Sequence, residues 1–269
     1  MSDSLLLVGC GKMGTALLAG WIAQGLSPAD AYVVEADISA HPRIRDMGVT
    51  VAAALAELPP DMAPSTIIFA VKPQSMDAVV PGYARMAATA LTISIAAGKS
   101  IAYYERLLGK NTAIIRVMPN TPAAVGRGMS VCVANAKANA AQRDRTGKLM
   151  QAVGDVAWIE DESLMDAGTA LSGSGPAYVF LMVEAMAAAG IAVGLAPELA
   201  MRLARMTVIG SGELMYRAHE DAATLRKNVT SPGGTTEAAL EILMAKPGLE
   251  ALMTAAIAAA AKRGRELAG

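Results

Sequence analysis

The sequence predicts a two-part α/β chain: a parallel sheet with crossover helices over residues 1–160, then an all-helical domain over 161–269. Three observations carry this. Short β-rich runs alternate with Ala-rich helical stretches through the first part, the pattern of βαβ units. From about Asp161 the β-branched runs stop, and long helical patterns punctuated by Gly and Pro take over. No low-complexity linker and no repeat of solenoid period intervenes, which puts the boundary near Ile159–Ser163.

In chain order the expected strands are Leu5–Val8, Tyr32–Glu35, Thr66–Val71, Leu91–Ile95 and Ala113–Val117, with weaker ones at Ser130–Val133 and Val156–Ile159. A helix from Thr15 to Gln24 follows the first strand. In the second part Pro176 suits a first helical turn, Ser174 can cap it and Gly190 can end it in a left-handed cap, giving a helix Pro176–Ala189. A second runs from Pro197 through Met201, Leu203 and Met206 towards Met215. Gly210 and Gly212 there mark a close approach by another helix. After a polar stretch come Glu237–Met244 and the Ala-rich Leu249–Leu267.

Composition narrows the function classes. With 54% hydrophobic and 17% charged residues among 269, the chain can build large cores and is not disordered. The formal charge is 23 − 24 = −1 and no Lys/Arg stripe exists, so nucleic acid is not an expected partner. Cys10 and Cys132 make no disulfide framework, and the N-terminus lacks a basic start with an apolar run; a cytoplasmic location is expected. The two histidines, His41 and His219, have no close Cys/His spacing, so no metal site is expected. Ala167–Pro197 holds one charge, Glu184, but Gly173, Gly175, Pro176, Gly190 and Gly194 interrupt it. A membrane-spanning helix needs about 20 uninterrupted apolar residues. A helix buried between subunits is the expected use, with Met182, Met186, Met201, Met206 and Met215 as flexible filler.

The chemistry-bearing motif opens the chain. Leu5–Val8 runs into Gly9-Cys-Gly11-Lys-Met-Gly14 and then a helix: strand, G-x-G-x-x-G, helix. Gly9 makes the tight turn, Gly11 lets a pyrophosphate approach the backbone, and Gly14 lets helix and strand pack closely. This is the dinucleotide-binding pattern of a Rossmann-type domain, with free helix N–H groups facing the anion. Glu35, at the end of the second strand, suits hydrogen bonds from the adenosine ribose hydroxyls and repels a 2′-phosphate, which leans the cofactor from NADPH towards NADH. Two other readings stand beside it: Glu35 or Asp37 decorates a strand end, or Arg43 and Arg45 fold back to hold the phosphate. Lys72-Pro73 ends a strand where an open sheet meets its ligand, although a lone Lys there is equally at home in solvent. Pro119-Asn120-Thr121-Pro122 is a rigid turn that could hold an amide near substrate or cofactor, or a plain turn.

Three further stretches add specificity: Leu171-Ser-Gly-Ser-Gly-Pro-Ala-Tyr178, Leu225-Arg-Lys-Asn228-Val-Thr-Ser231-Pro-Gly-Gly-Thr-Thr236, and Ala70-Val-Lys-Pro73. With the glycine fingerprint, and in this order over nearly the whole chain, the set resembles the pyrroline-5-carboxylate reductase family of proline synthesis. The resemblance implies NAD(P)H-dependent reduction of the C=N of 1-pyrroline-5-carboxylate to L-proline by a Rossmann domain plus a helical dimerisation domain. It implies a homodimer through the helical domain, and in many members a decamer.

Carried over residue by residue, it implies that Gly9, Gly11, Lys12, Met13 and Gly14 hold the pyrophosphate, and that Ala70, Val71, Lys72 and Pro73 line the nicotinamide side. Asn120 lies nearby; Ser231, Gly233, Gly234, Thr235 and Thr236 form the substrate loop, with the Thr236 hydroxyl at the ring nitrogen. Glu35 stands where the family often has a small hydroxyl residue. An iminium is already electrophilic, so Thr236 serves as an orienting partner rather than a general acid. The loop's N–H groups, entering a helix that begins near Glu237, suit the substrate carboxylate. A capping role for Thr235 or Thr236 is compatible with this. Of His219 and Glu220 upstream, both suit solvent, and Glu220 could face the cationic imine. Ser172 and Ser174 form a hydroxyl pair before Pro176, one of them explained by capping. Two other classes remain: a two-domain dehydrogenase with a catalytic Lys on the helical domain, where only Lys227, Lys246 and Lys262 are available, and a non-catalytic dinucleotide sensor.

Overall fold

The computed structural model describes residues 4–40 and 42–268; His41 and the side chain of Arg43 lie outside the description. The chain divides into two compact units, one running to Gly173 and including the chain's end from Ala261, the other Ser174–Ala260.

The first unit carries an eight-stranded sheet in the order β3-β2-β1-β4-β5-β6-β7-β8. Its strands are β1 Leu5–Val8, β2 Ala31–Val34, β3 Thr50–Ala52, β4 Thr66–Phe69, β5 Leu91–Ser94, β6 Ile114–Met118, β7 Gly128–Ala134 and β8 Gly154–Trp158. Between them lie the helices α1 Lys12–Ala23, α2 Arg43–Asp46, α3 Met76–Val79, α4 Ala84–Ala87, α5 Ile101–Leu108 and α6 Ala140–Gln151, followed by α7 Met165–Gly168. Every residue of β1 is buried, as a central parallel strand covered on both faces requires. Leu5, Leu7, Ile68 and Ile93 pack on Leu17, Leu18 and Trp21 of α1 and Met150 of α6. Leu6, Val8, Ile67 and Phe69 pack on Met76, Val80, Tyr83 and Tyr104 on the other face. Sheet order reverses between β1 and β4, which makes the crevice beyond their carboxyl ends the place for a ligand.

The sheet is not wholly parallel. β7 runs antiparallel to β6, with Val117 beside Cys132. Only the Pro119–Arg127 segment connects them, too short for a crossover helix, so the chain must turn back. β3, three residues long, is too short to show alternation and was not visible as a pattern. Where the sheet ends, Arg116 of β6, almost fully buried, donates to Glu162 at 2.9 Å. The same carboxylate oxygen accepts the Ile101 N–H at 2.9 Å, which pins the segment before α7 to the start of α5.

The second unit contains α8 Gly175–Ala192, α9 Pro197–Arg217, α10 Ala222–Asn228, α11 Thr235–Leu243 and most of α12 Leu249–Ala268. Several expectations need correction. Gly190 does not end a helix: α8 continues to Ala192, and Gly194, at φ +103°, takes the left-handed position beyond it. Gly190 instead permits close packing, since a Cβ there would lie 3.2 Å from the Ala200 Cβ. Ser174 occupies the cap position without a side-chain cap bond. Outside their own helical turns, no described atom lies within 4 Å of a Cβ built at Gly210 or Gly212, so no other helix among the described residues closes on them. The supposed polar stretch contains α10, which Asp221 caps by accepting the Thr224 N–H at 2.7 Å. Gly173, Gly175, Pro176 and Gly190 do not break the stretch either, which stays helical to Ala192; the break comes at Gly194. A five-residue π-helical turn, Thr169–Gly173, bridges α7 to the start of α8. The run Glu162–Ala192 is thus one helix, long and apolar enough by length and composition to cross a membrane, with 6% of its most apolar window buried.

Candidate functional site

The glycine turn is built by sterics. Gly9 sits at φ +88°, and a Cβ there would fall 2.6 Å from Val71 Cγ1 and 2.7 Å from the Val71 nitrogen. A Cβ on Gly14 would fall 2.8 Å from the Gly9 carbonyl. At Gly11 the space is open to 4 Å, leaving a cradle over the N-terminus of α1. Gly11 is the N-cap and α1 begins at Lys12, three residues before the expected Thr15, so Met13 and Gly14 belong to its first turn. These three facts fit a dinucleotide pyrophosphate: one face closed by the turn, one open, and unsatisfied N–H groups at a helix start.

The strand exits around the cradle are tied together. Gly9 N–H donates to the Val34 carbonyl at 2.8 Å and Ala70 N–H to the Val8 carbonyl at 2.7 Å, bringing the exits of β2, β1 and β4 side by side. Glu35 follows the last residue of β2; its carboxylate accepts the Cys10 N–H at 2.7 Å and the Asp37 N–H at 3.0 Å. Lys72 and Lys12 are exposed, while Ala70, Val71 and Pro73 are half-buried. Cys10 is buried within the turn, and burial pushes its thiol up to about 11, with Thr15 pulling the other way and Glu35 adding to the rise. It is therefore a neutral packing group.

Asn120 is engaged at both ends. Its Oδ1 accepts the Met129 N–H at 2.8 Å, and its Nδ2 donates to the Ser172 carbonyl at 3.2 Å and the Ser172 Oγ at 3.3 Å. A surface cleft of about 580 Å³ between α1 and α6 is lined by Trp21, Leu26, Arg145 and Leu149 and includes no expected site residue. A second, about 470 Å³, runs along α1 from Lys12 and Thr15 to Val153.

In the helical unit the 231–236 segment forms a turn into α11. Gly234 N–H donates to the Ser231 carbonyl at 3.0 Å, and Gly233 sits at φ +69°. The helix starts at Thr235, not near Glu237, and its N-cap is Gly234, so neither Thr235 nor Thr236 is the cap. Thr236 is half-buried in the first turn. Glu237 reaches back to accept the Gly233 N–H at 2.7 Å. His219 and Glu220 are exposed.

Comparison with known proteins then decides the family. Over 98% of its length the chain is 41% identical to a pyrroline-5-carboxylate reductase from Pseudomonas aeruginosa, covering 96% of that protein. The chain belongs to the pyrroline-5-carboxylate reductase family. A Synechocystis pyrroline-5-carboxylate reductase is 38% identical over 99% of both chains. The solved pyrroline-5-carboxylate reductase from Coxiella burnetii matches with a TM-score of 0.93 and 32% identity over the whole of both chains. A Plasmodium falciparum pyrroline carboxylate reductase, solved with NADP bound, matches with a TM-score of 0.82 and 29% identity, again over both whole chains. The family model for pyrroline-5-carboxylate reductase dimerisation matches residues 162–267, and one for NADP oxidoreductase, coenzyme F420-dependent, matches 4–98.

Within the family's dimerisation region, Phe180 and Leu181 of α8 are 61% and 63% exposed in the single chain, and Met206 of α9 is 57% exposed. A soluble monomer rarely leaves so broad an apolar face open. Two features of this family member had weak sequence signals. The Glu237 brace follows from an acid at the third helical position, the capping-box place, but bonds one residue earlier than that box does. The Asn120–Ser172 link joins residues 52 apart, beyond any local pattern.

Proposed function

We propose that the chain reduces the C=N bond of 1-pyrroline-5-carboxylate to L-proline with a reduced nicotinamide dinucleotide. The observation that supports this most is family membership over the full length, joined to a glycine cradle open only at Gly11. The bound dinucleotide supplies the hydride. The hydride adds to the imine carbon, the C=N π bond breaks, and nitrogen keeps the proton with which the iminium enters. Gly9, Gly11, Lys12, Met13 and Gly14 hold the pyrophosphate, and Ala70, Val71, Lys72 and Pro73 line the nicotinamide side.

In this reading the Ser231–Thr236 loop receives the substrate. Gly233 and Gly234 spend their N–H groups inside the turn, on Glu237 and Ser231. The first-turn amides of α11, at Thr235, Thr236 and Glu237, are the donors left for a carboxylate, with the helix dipole behind them. The Thr236 hydroxyl orients the ring nitrogen. Asn120 contributes through Ser172. NADH is the preferred donor, because Glu35 is held at the cradle by two backbone amides and would stand against a 2′-phosphate. The exposed apolar helices pair with a second copy, with assembly to a decamer and a cytoplasmic location completing the proposal.

The test is direct. Purified protein is mixed with 1-pyrroline-5-carboxylate and NADH or NADPH, and loss of the reduced cofactor's absorbance is followed alongside proline formation. Folded protein that binds dinucleotide yet oxidises neither donor would overturn the reading in favour of a sensor.

A further inference from the structure

The Ser172 hydroxyl is the group at the sheet's carboxyl edge whose hydrogen-bonding role the protein leaves half filled. Met129 N–H can only donate, so the atom of Asn120 facing it must be the oxygen, and the amide nitrogen must face Ser172. That nitrogen donates to the Ser172 carbonyl and to its Oγ, at 3.2 and 3.3 Å. Ser172 Oγ is thereby made an acceptor on its protein side. Its own proton points elsewhere, and no acceptor for it is found among the described residues.

Ser172 also sits where a ligand is due. It lies in the π-helical turn Thr169–Gly173, a local irregularity of the kind that clusters at functional sites. The next residue, Gly173, packs on Met118, the last residue of β6: a Cβ there would fall 2.9 Å from Met118 Cε. In a sheet of order 3-2-1-4-5-6 the glycine turn after β1 takes the pyrophosphate, and the second half, β4 to β6, takes the nicotinamide end. Ser172 is half-buried at the far side of that half.

We propose that Ser172 is a cofactor-binding residue whose O–H donates to the carboxamide oxygen of the nicotinamide, and that Asn120 is the positioning residue that aims it. The carboxamide is the polar handle that fixes which ring face meets a substrate, and a hydroxyl already committed as an acceptor can serve it only as a donor. This rests on the dinucleotide part of the proposed function and not on the identity of the imine.

The test separates ring from remainder. Affinities for NADH and for ADP-ribose, which lacks the nicotinamide, are measured by calorimetry on the full-length protein and on Ser172→Ala. The expected result is a five- to tenfold loss for NADH, about that of one neutral hydrogen bond, with ADP-ribose binding unchanged within twofold. Asn120→Ala should show the same selective loss, and the double variant no more than either single one. Equal loss for both ligands, or none for either, overturns the proposal. Ser172→Cys, which keeps the volume with a weaker donor, serves if the Ala variant does not fold, and must show the same selectivity. Failure of imine reduction in a protein that still binds NADH would leave this result standing by itself.

Discussion

The backbone N–H of Cys10, inside the glycine turn, donates to the carboxylate of Glu35 at 2.7 Å. The Glu35 carboxylate, proposed to read the adenosine ribose, and the glycine turn, proposed to hold the phosphates, are therefore one hydrogen-bonded unit. The second carboxylate oxygen is held by the Asp37 N–H, so Glu35 cannot swing aside for a 2′-phosphate without leaving two amides unpaired. Under the proposed role, replacing it with serine would remove that repulsion. Glu35→Ser should shift the ratio of kcat/KM for NADH over NADPH towards NADPH by at least about tenfold, roughly 1.4 kcal/mol. A wild-type protein that strongly favours NADPH, or an unchanged ratio in the variant, would contradict this role.

The glycines of the turn separate folding from binding. Gly9→Ala meets both a left-handed φ and Val71 backbone at 2.7 Å, so it should lower the Tm sharply. Gly11→Ala meets nothing within 4 Å and changes only an N-cap, a cost of about 1 kcal/mol or less. Its methyl would occupy the cradle. Thermal melts with dinucleotide titrations on the two variants should show Gly11→Ala folded, with affinity at least about tenfold weaker. If it binds like wild type, the cradle is not where the phosphates lie.

These positions also show how far sequence alone reaches. The strands β1, β2, β4, β5 and β6 are legible to within two residues, because each is a short, largely apolar run, and β1, β2 and β6 are closed at once by Gly9, Glu35 and Pro119. β3 is not, since three edge residues make no period. Gly190 looks like a helix stop, but only the neighbouring Ala200 reveals that its missing side chain serves packing. The glycine turn was readable because its chemistry is local. The partners of Asn120 were not, because a hydrogen bond between residues 52 apart leaves no spacing to read.

Alkaline pH should unfold the protein early. Burial pushes the Cys132, Tyr83 and Tyr104 groups up to about 12 and Cys10 up to about 11. All four are neutral when protonated, and their unfolded values are 9.0 for the thiols and 10.0 for the phenols. A raised folded value contributes stability that is complete below the unfolded value and is lost as pH rises through the folded one. The Tm should hold to about pH 8.5, then fall steadily between about pH 9 and 12. Below pH 9 both thiols should resist a disulfide reagent until denaturant is added. Rapid native-state labelling of either cysteine, or a flat Tm up to pH 11, would count against this burial.

Thr236 offers the sharpest separation of structure from chemistry. Because Gly234 is the N-cap of α11 and Thr236 lies in its first turn, the threonine hydroxyl makes no cap bond that a substitution could break. Thr236→Val keeps the β-branch and the volume, so the melting temperature should stay within the equivalent of about 0.5 kcal/mol. Losing a hydrogen bond to the ring nitrogen should lower kcat by about ten- to a hundredfold, the kinetic equivalent of about 1.4–2.7 kcal/mol. Thr236→Ser restores the hydroxyl and should recover most of the rate. Steady-state kinetics of the three proteins with the cyclic imine decide it: a valine variant with wild-type kcat removes Thr236 from the reaction, whereas a coupled loss of Tm returns it to a structural role.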